Sequence, residues 1–199
     1  TALIQYFVNR SKRPDCNFEY KALNILPDFA PEFPLKIKEL FTQWNVPFES
    51  IKIDVTGRVK KGQKMSCYWC STQRRTELLN YAIKNGYNKI ALGHHMDDIV
   101  ETLLMNMLYK GEFSGMPPMV PYEKYPCSII RPLCYCEESE IIEYAEEADI
   151  RKFTCTCEFS KASHRKTIRE EIKSLTKGNS TLKANLFEGM RNIRMDYLL

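Results

Sequence analysis

The sequence is short of the features that mark several protein classes. No stretch approaches 18 consecutive apolar residues, which excludes an ordinary membrane-spanning helix. No charged-then-apolar leader opens it, so no secretory signal is read and a cytoplasmic, membrane-free protein is expected. Repeats, low-complexity tracts and a clear linker are missing, which removes solenoids and tethered modules from consideration. Neither sign of charge dominates: 29 Lys and Arg against 25 Asp and Glu leave +4. With 44% hydrophobic and 27% charged residues, disordered and collagen-like chains are excluded. The 199 residues suit one domain with at most an appendage. Eight cysteines are too few for a disulfide-built miniprotein of this size. Without an export signal they point to metal or redox chemistry.

Four short runs rich in β-branched and aromatic residues read as buried strands: Phe18–Leu26, Phe48–Val55, Asn88–Gly93 and Cys127–Leu133. Helical patterns alternate with them. Thr1–Asn9 and Leu35–Trp44 are helical. Ser71–Asn85 has Ser71 or Thr72 as N-cap and Gly86 at its stop. Asp97–Leu108 places Ile99, Val100, Leu103, Leu104, Met107 and Leu108 on one stripe. Glu137–Ala148 and Lys161–Leu175 follow. The alternation predicts an α/β domain with a parallel sheet and helices on both faces, spanning residues 1–153. Residues 154–199 read as a helical C-terminal extension. Ligands of such sheets sit beyond the carboxyl ends of the strands, so the segment after Asn88–Gly93 is the place to look for chemistry.

Charge is unevenly placed. Arg58–Arg75 holds six basic residues and no acidic one, and Lys161–Lys177 holds six basic and two acidic. Glu137–Asp149 holds seven acidic residues. A solvated face is the plain reading of either basic run. Basic residues interleaved with Tyr68 and Trp69 also suit a nucleic-acid surface, since phosphates need cations and unstacked bases need flat partners.

Three motifs carry chemistry. Cys67-Tyr-Trp-Cys70 lies just before the helix expected from Ser71; its two-residue spacer lets both sulfurs meet one metal or form a redox disulfide. Two core cysteines would be the structural alternative. Cys155-Thr-Cys157 is spaced poorly for two ligands to one tetrahedral zinc, and His164 could complete such a site. Three cysteines around an iron–sulfur cluster would leave one iron open. Cys16, Cys127, Cys134 and Cys136 read as core or neutral thiols. The third motif, Ala91-Leu-Gly-His-His-Met-Asp-Asp98, closes a strand and opens a helix. Gly93 permits close backbone approach by a ligand, and Asp97 and Asp98 can cap the helix or hold magnesium.

Gly93-His-His-Met-Asp-Asp-Ile-Val-Glu-Thr102, then Asn106 and Gly115-Met-Pro-Pro118, resembles the tRNA 2-thiocytidine synthetase family of PP-loop ATP pyrophosphatases. The likeness runs on through Cys67-x-x-Cys70 with Arg74-Arg75, Ile130-Arg-Pro-Leu133, and Cys157 with Arg165, and covers most of the chain. The ordered combination is specific; each piece alone is weak. It implies a Rossmann-like, adenine-nucleotide α-hydrolase-like fold. It implies a tRNA sulfurtransferase that adenylates cytidine 32 of the anticodon loop with ATP and Mg2+. It also implies a [4Fe–4S] cluster on Cys67, Cys70 and Cys157, fed by a sulfur donor such as a cysteine desulfurase. Gly93, His94 and Arg75 would line the nucleotide, with His94, Asp97 and Asp98 as catalytic candidates. Arg58, Lys60, Lys61, Lys64, Arg74, Arg75, Arg165 and Lys166 would contact phosphates. A homodimer stays open. The family's Ser-Gly-Gly-Lys-Asp-Ser loop does not occur, so the chain reads as the family cut just after that loop, and the stretch between Val55 and Lys64 is short against the family pattern. Alternatives are a sister family thiolating a tRNA uridine, a more distant relative that ligates lysine to cytidine, and a zinc-stabilised RNA-binding module without catalysis.

Overall fold

A computed structural model of the chain describes residues 1–123, 125–148 and 164–197. Helix α1 spans Ala2–Ser11, and strand β1, Ala22–Pro27, follows. Helix α2, Leu35–Gln43, leads to β2, Phe48–Ile53. Helix α3, Cys67–Lys84, leads to β3, Lys89–Ala91, and helix α4 covers Met96–Lys110. Strands β4, Met119–Pro121, and β5, Ser128–Ile130, precede helices α5, Glu138–Glu147, α6, His164–Thr176, and α7, Ser180–Gly189. A single 3-10 turn, Met195–Tyr197, ends the described chain.

β1 and β2 pair in parallel, Ala22 opposite Phe48 through Pro27 opposite Ile53. β3 pairs in parallel with β5, Ile90 opposite Ile129. The sheet is not wholly parallel as expected: β4 runs antiparallel on the far edge of β5, Val120 opposite Ile129. Pro121 fits there because an edge strand can do without one ladder donor. The four expected strands are present but shorter. β1 starts at Ala22, not Phe18, and Phe18 is exposed.

Helix α3 starts four residues earlier than expected. Ser66, not Ser71 or Thr72, is the N-cap; its side chain accepts a hydrogen bond from the Trp69 backbone N–H at 3.1 Å. The Ser71 and Thr72 hydroxyls instead bond back to the Tyr68 carbonyl. Leu78 packs against both the Ile25–Ile53–Val55 cluster and the Ala82–Ile90–Ile129 cluster, so α3 ties the two strand groups together.

Helix α4 buries Ile99, Val100 and Leu103. Met107 and Leu108, expected on the same stripe, are exposed: the last turn of α4 projects past the core. The helix stops at Gly111, whose φ of 68° suits a residue without Cβ. Ile168 and Ile172 of α6 and Phe187 of α7 join Met96, Ile99 and Val100 in one buried cluster. Loss of such a packed side chain costs about 2–5 kcal/mol, so apolar burial is what seats α6 and α7 on α4. Among the described residues no helix is long and apolar enough to cross a membrane.

Candidate nucleotide and metal sites at the strand ends

β3 stops after Ala91, and the Leu92 N–H still donates to the Ile130 carbonyl at 2.9 Å. Gly93 then turns away, exposed, with Leu3 of α1 the nearest atom to where a Cβ would stand, at 4.0 Å. A side chain here would thus meet Leu3 only at ordinary contact distance, so the backbone at Gly93 can be approached closely beside the first turn of α1. His95 caps α4, and its backbone N–H donates to the Asp98 carboxylate at 3.2 Å. The two acids also sit favourably at the positive end of the helix dipole.

His94 and Arg131 meet behind this turn. Arg131, at the carboxyl end of β5, is 8% exposed. Its Nε donates to His94 Nδ1 at 3.3 Å and its Nη1 to the Pro117 carbonyl at 2.5 Å. Burial pushes the His94 pKa below its ordinary value; Asp98 opposes this, while Arg131, Arg165 and Arg75 reinforce it. Arg75 of α3 is exposed, and its charge bears on both His94 and Arg131.

The acids of α4 face the C-terminal helices. Asp97 accepts from Lys183 Nζ at 2.6 Å and from the Glu138 backbone N–H at 2.7 Å. Burial alone would raise its pKa, but hydrogen bonds from His95, Lys183 and Glu138 hold the carboxyl well below the usual range. Asp98 accepts from Arg165 Nη1 at 3.2 Å. Glu101, 1% exposed, accepts from Arg169 Nε at 2.6 Å, and Arg165 Nε lies 3.6 Å from its other oxygen. Burial raises the Glu101 pKa against the pull of these arginines. A cavity of about 290 Å³ lies between these groups, lined by Asp97, Glu101, Glu137, Arg169 and Lys183 among others.

Cys67 and Cys70 lie within the first turn of α3, not ahead of it. At positions three apart they share one helix face. Cys67 is exposed and Cys70 half-buried, packed beside Ile25, Ile53 and Val55. Trp69 points inward, with its indole N–H on the Val55 carbonyl at 3.4 Å, and Tyr68 points outward, 80% exposed. Cys155 and Cys157 lie outside the described residues, as does the side chain of His164. Among the described residues no three His, Cys, Asp or Glu side chains converge to hold a metal ion. Cys127 and Cys134 are buried, and burial pushes their thiols up, as it does for Cys136.

Of the expected phosphate contacts, Lys60, Lys61, Lys64, Arg75 and Lys166 are exposed. Three others have internal partners: Arg58 pairs with Glu77 at 2.6 Å, Arg74 donates to the Ile25 carbonyl at 3.0 Å, and Arg165 holds Asp98. Sequence reasoning named Ile130-Arg-Pro-Leu133 without giving Arg131 a role; a lone cation closing an apolar strand was the available signal. Lys183 had no signal, because its partner Asp97 is 86 positions away.

Comparison with known proteins agrees with this architecture. The tRNA-cytidine(32) 2-sulfurtransferase of Coxiella burnetii (strain RSA 493) is 35% identical over 158 residues, 77% of this chain and 62% of that protein. The Shewanella amazonensis protein of the same name is 33% identical over 197 residues, 96% of this chain and 61% of its own length. That of Alcanivorax borkumensis is 34% identical over 196 residues, covering 96% and 69%. The chain therefore spans a little under two thirds of the first two relatives. The solved structure of the U34-tRNA thiolase NcsA from Methanococcus maripaludis, with its [4Fe–4S] cluster, superposes with a TM-score of 0.71. It is 18% identical and is matched over 97% of this chain and 68% of that one, so the two share a fold. The PP-loop domain matches residues 30–175, and with these relatives it shows that the chain belongs to the PP-loop family.

Proposed function

We propose that the chain is the catalytic part of an ATP-dependent tRNA sulfurtransferase acting on C2 of cytidine 32. Its likeness to curated enzymes of that name over 96% of its length is the observation that carries this reading. The cytidine O2 would attack the α-phosphate of ATP and release pyrophosphate. Sulfur would then add at C2 and AMP would leave, a far better leaving group than the original oxygen. The base must be splayed out of its loop for either step, which suits single-stranded RNA.

The exposed backbone at Gly93, beside α1 and His94, would receive the nucleotide, with Arg75 supplying positive charge. Asp97 and Asp98 would hold the turn through their cations, with Mg2+ arriving on the ATP phosphates. Cys67, Cys70 and Cys157 would hold a [4Fe–4S] cluster. Two sulfurs on one face of a helix start, one exposed, fit such a ligand set. When bound, the cluster supplies an iron site for the incoming sulfur. A sulfur donor such as a cysteine desulfurase, recognition of the anticodon loop and a cytoplasmic location belong to the same reading. So does the division into a nucleotide domain over 1–153 and a helical extension over 154–199.

Mass spectrometry of tRNA nucleosides from cells lacking the gene tests this directly. Loss of 2-thiocytidine, restored by the gene, is the expected result; an unchanged level would defeat the proposal.

A further inference from the structure

Arg131 and His94 carry a consequence for the proton on the imidazole. A guanidinium has five donors and no acceptor, and it keeps its proton in proteins. The nitrogen that receives its hydrogen bond must therefore hold a lone pair. Arg131 Nε points at His94 Nδ1 from 3.3 Å, and its position is fixed by the second bond, from Nη1 to the Pro117 carbonyl at 2.5 Å. Arg131 as a residue is buried, at 8% exposure. It has little room to turn away.

We propose that Arg131 is a positioning residue that locks His94 as the neutral Nε2–H tautomer, so that His94 serves as a hydrogen-bond donor to an ATP phosphate and not as a general base. This rests on the nucleotide reading given above. With Nδ1 occupied and Nε2 carrying the proton, His94 has no free lone pair with which to accept one. The charged groups around it come from four elements. Asp98 on α4 favours the imidazolium; Arg131 after β5, Arg165 on α6 and Arg75 on α3 oppose it, together with burial. The positive potential for a nucleotide thus comes from the arginines, and the imidazole adds direction without charge.

The test uses the full chain labelled with 15N-histidine, followed by long-range 1H–15N spectra from pH 5 to 8. The His94 signals are identified by their loss in His94→Gln. The expected wild-type result is the neutral Nε2–H tautomer at pH 7. Arg131→Gln removes one repelling charge, so the His94 midpoint should rise by about half a pH unit or more. Arg131→Lys keeps the charge and loses the fixed Nε donor, so the midpoint should stay low while the two tautomers mix. An Nδ1–H tautomer in the wild type, or an Arg131→Lys spectrum identical to wild type, would overturn the proposal. If Arg131→Gln does not fold, the wild-type tautomer and the Lys variant still decide. Adding ATP then separates the two readings. A shift of the His94 Nε2–H signal supports nucleotide contact. The expected tautomer with no response to ATP would overturn the donor role of His94 while leaving the Arg131 lock standing.

Discussion

Arg169 Nε stands 2.6 Å from Glu101 Oε1, joining α6 to a carboxylate buried at 1% exposure on α4. The pair is asymmetric, because the Arg169 side chain is 52% exposed. Removing Arg169 leaves the buried charge with only the longer Arg165 contact at 3.6 Å, whereas neutralising the acid removes that charge with it. Arg169→Ala should therefore lower unfolding stability by about 1–3 kcal/mol, and Glu101→Gln by less. Urea denaturation of both variants checks the order; Glu101→Gln proving the more damaging would contradict it.

Asp97 makes stability depend on pH. Its folded pKa lies below the ordinary value of 3.8, so the folded state binds the proton less readily than the unfolded chain. Its contribution is complete above about pH 5 and is lost as pH falls below the unfolded value. Asp97→Asn should be less stable than wild type at pH 7 by about 1–3 kcal/mol. The gap should begin to narrow as pH falls from 5 towards 3, and close only as pH passes the depressed folded pKa. Denaturation midpoints across that range measure it, and a constant gap would show that the Lys183 and Glu138 contacts do not act through the carboxylate charge.

How much was legible in advance follows from how local each signal is. The Gly93–Asp98 turn could be read because its glycine, capping acids and apolar stripe lie within one short run, Gly93–Leu108. β4 could not: three residues ending in Pro121 show no alternation, and only pairing with β5 makes them a strand. The start of α3 was misplaced because Ser66, Ser71 and Thr72 all look like caps. The choice is made by tertiary contact, with Trp69 anchored on the Val55 carbonyl. Lys183 reaches Asp97, and Arg169 reaches Glu101, across gaps of 86 and 68 positions that leave no local trace.

The Ser66 cap and the Trp69 contact together hold the turn that carries Cys67 and Cys70. Ser66→Ala should cost about 1 kcal/mol of stability, and Ser66→Asp should restore it. Thermal denaturation of the three proteins checks this. A Ser66→Ala variant as stable as wild type would mean that Trp69, not the cap, holds the first turn.

The exposed basic run should reveal itself through salt. If Lys60, Lys61 and Lys64 meet tRNA phosphates, the logarithm of affinity should fall linearly with the logarithm of salt. Each Lys→Ala change should reduce the slope by about one. Arg58 and Arg74, already held by Glu77 and the Ile25 carbonyl, should change the slope much less. Filter binding or anisotropy with an unmodified tRNA transcript at several salt concentrations measures both. A flat response in wild type would remove tRNA from this surface.

The cysteines divide by position, and metal content should follow the division. Cys127 and Cys134 are buried among apolar side chains, so Cys127→Ala and Cys134→Ala should leave bound iron unchanged. Cys67→Ala, Cys70→Ala and Cys157→Ala should each abolish most of it. Cys155→Ala should not, since the family resemblance puts the third ligand at Cys157 and gives Cys155 no counterpart among the ligands. Iron and acid-labile sulfide, assayed after anaerobic purification, distinguish the cases. Iron surviving in Cys157→Ala but lost in Cys155→Ala would exchange the two roles. Zinc in place of iron throughout would replace the sulfur-transfer reading with that of a zinc-stabilised RNA-binding module.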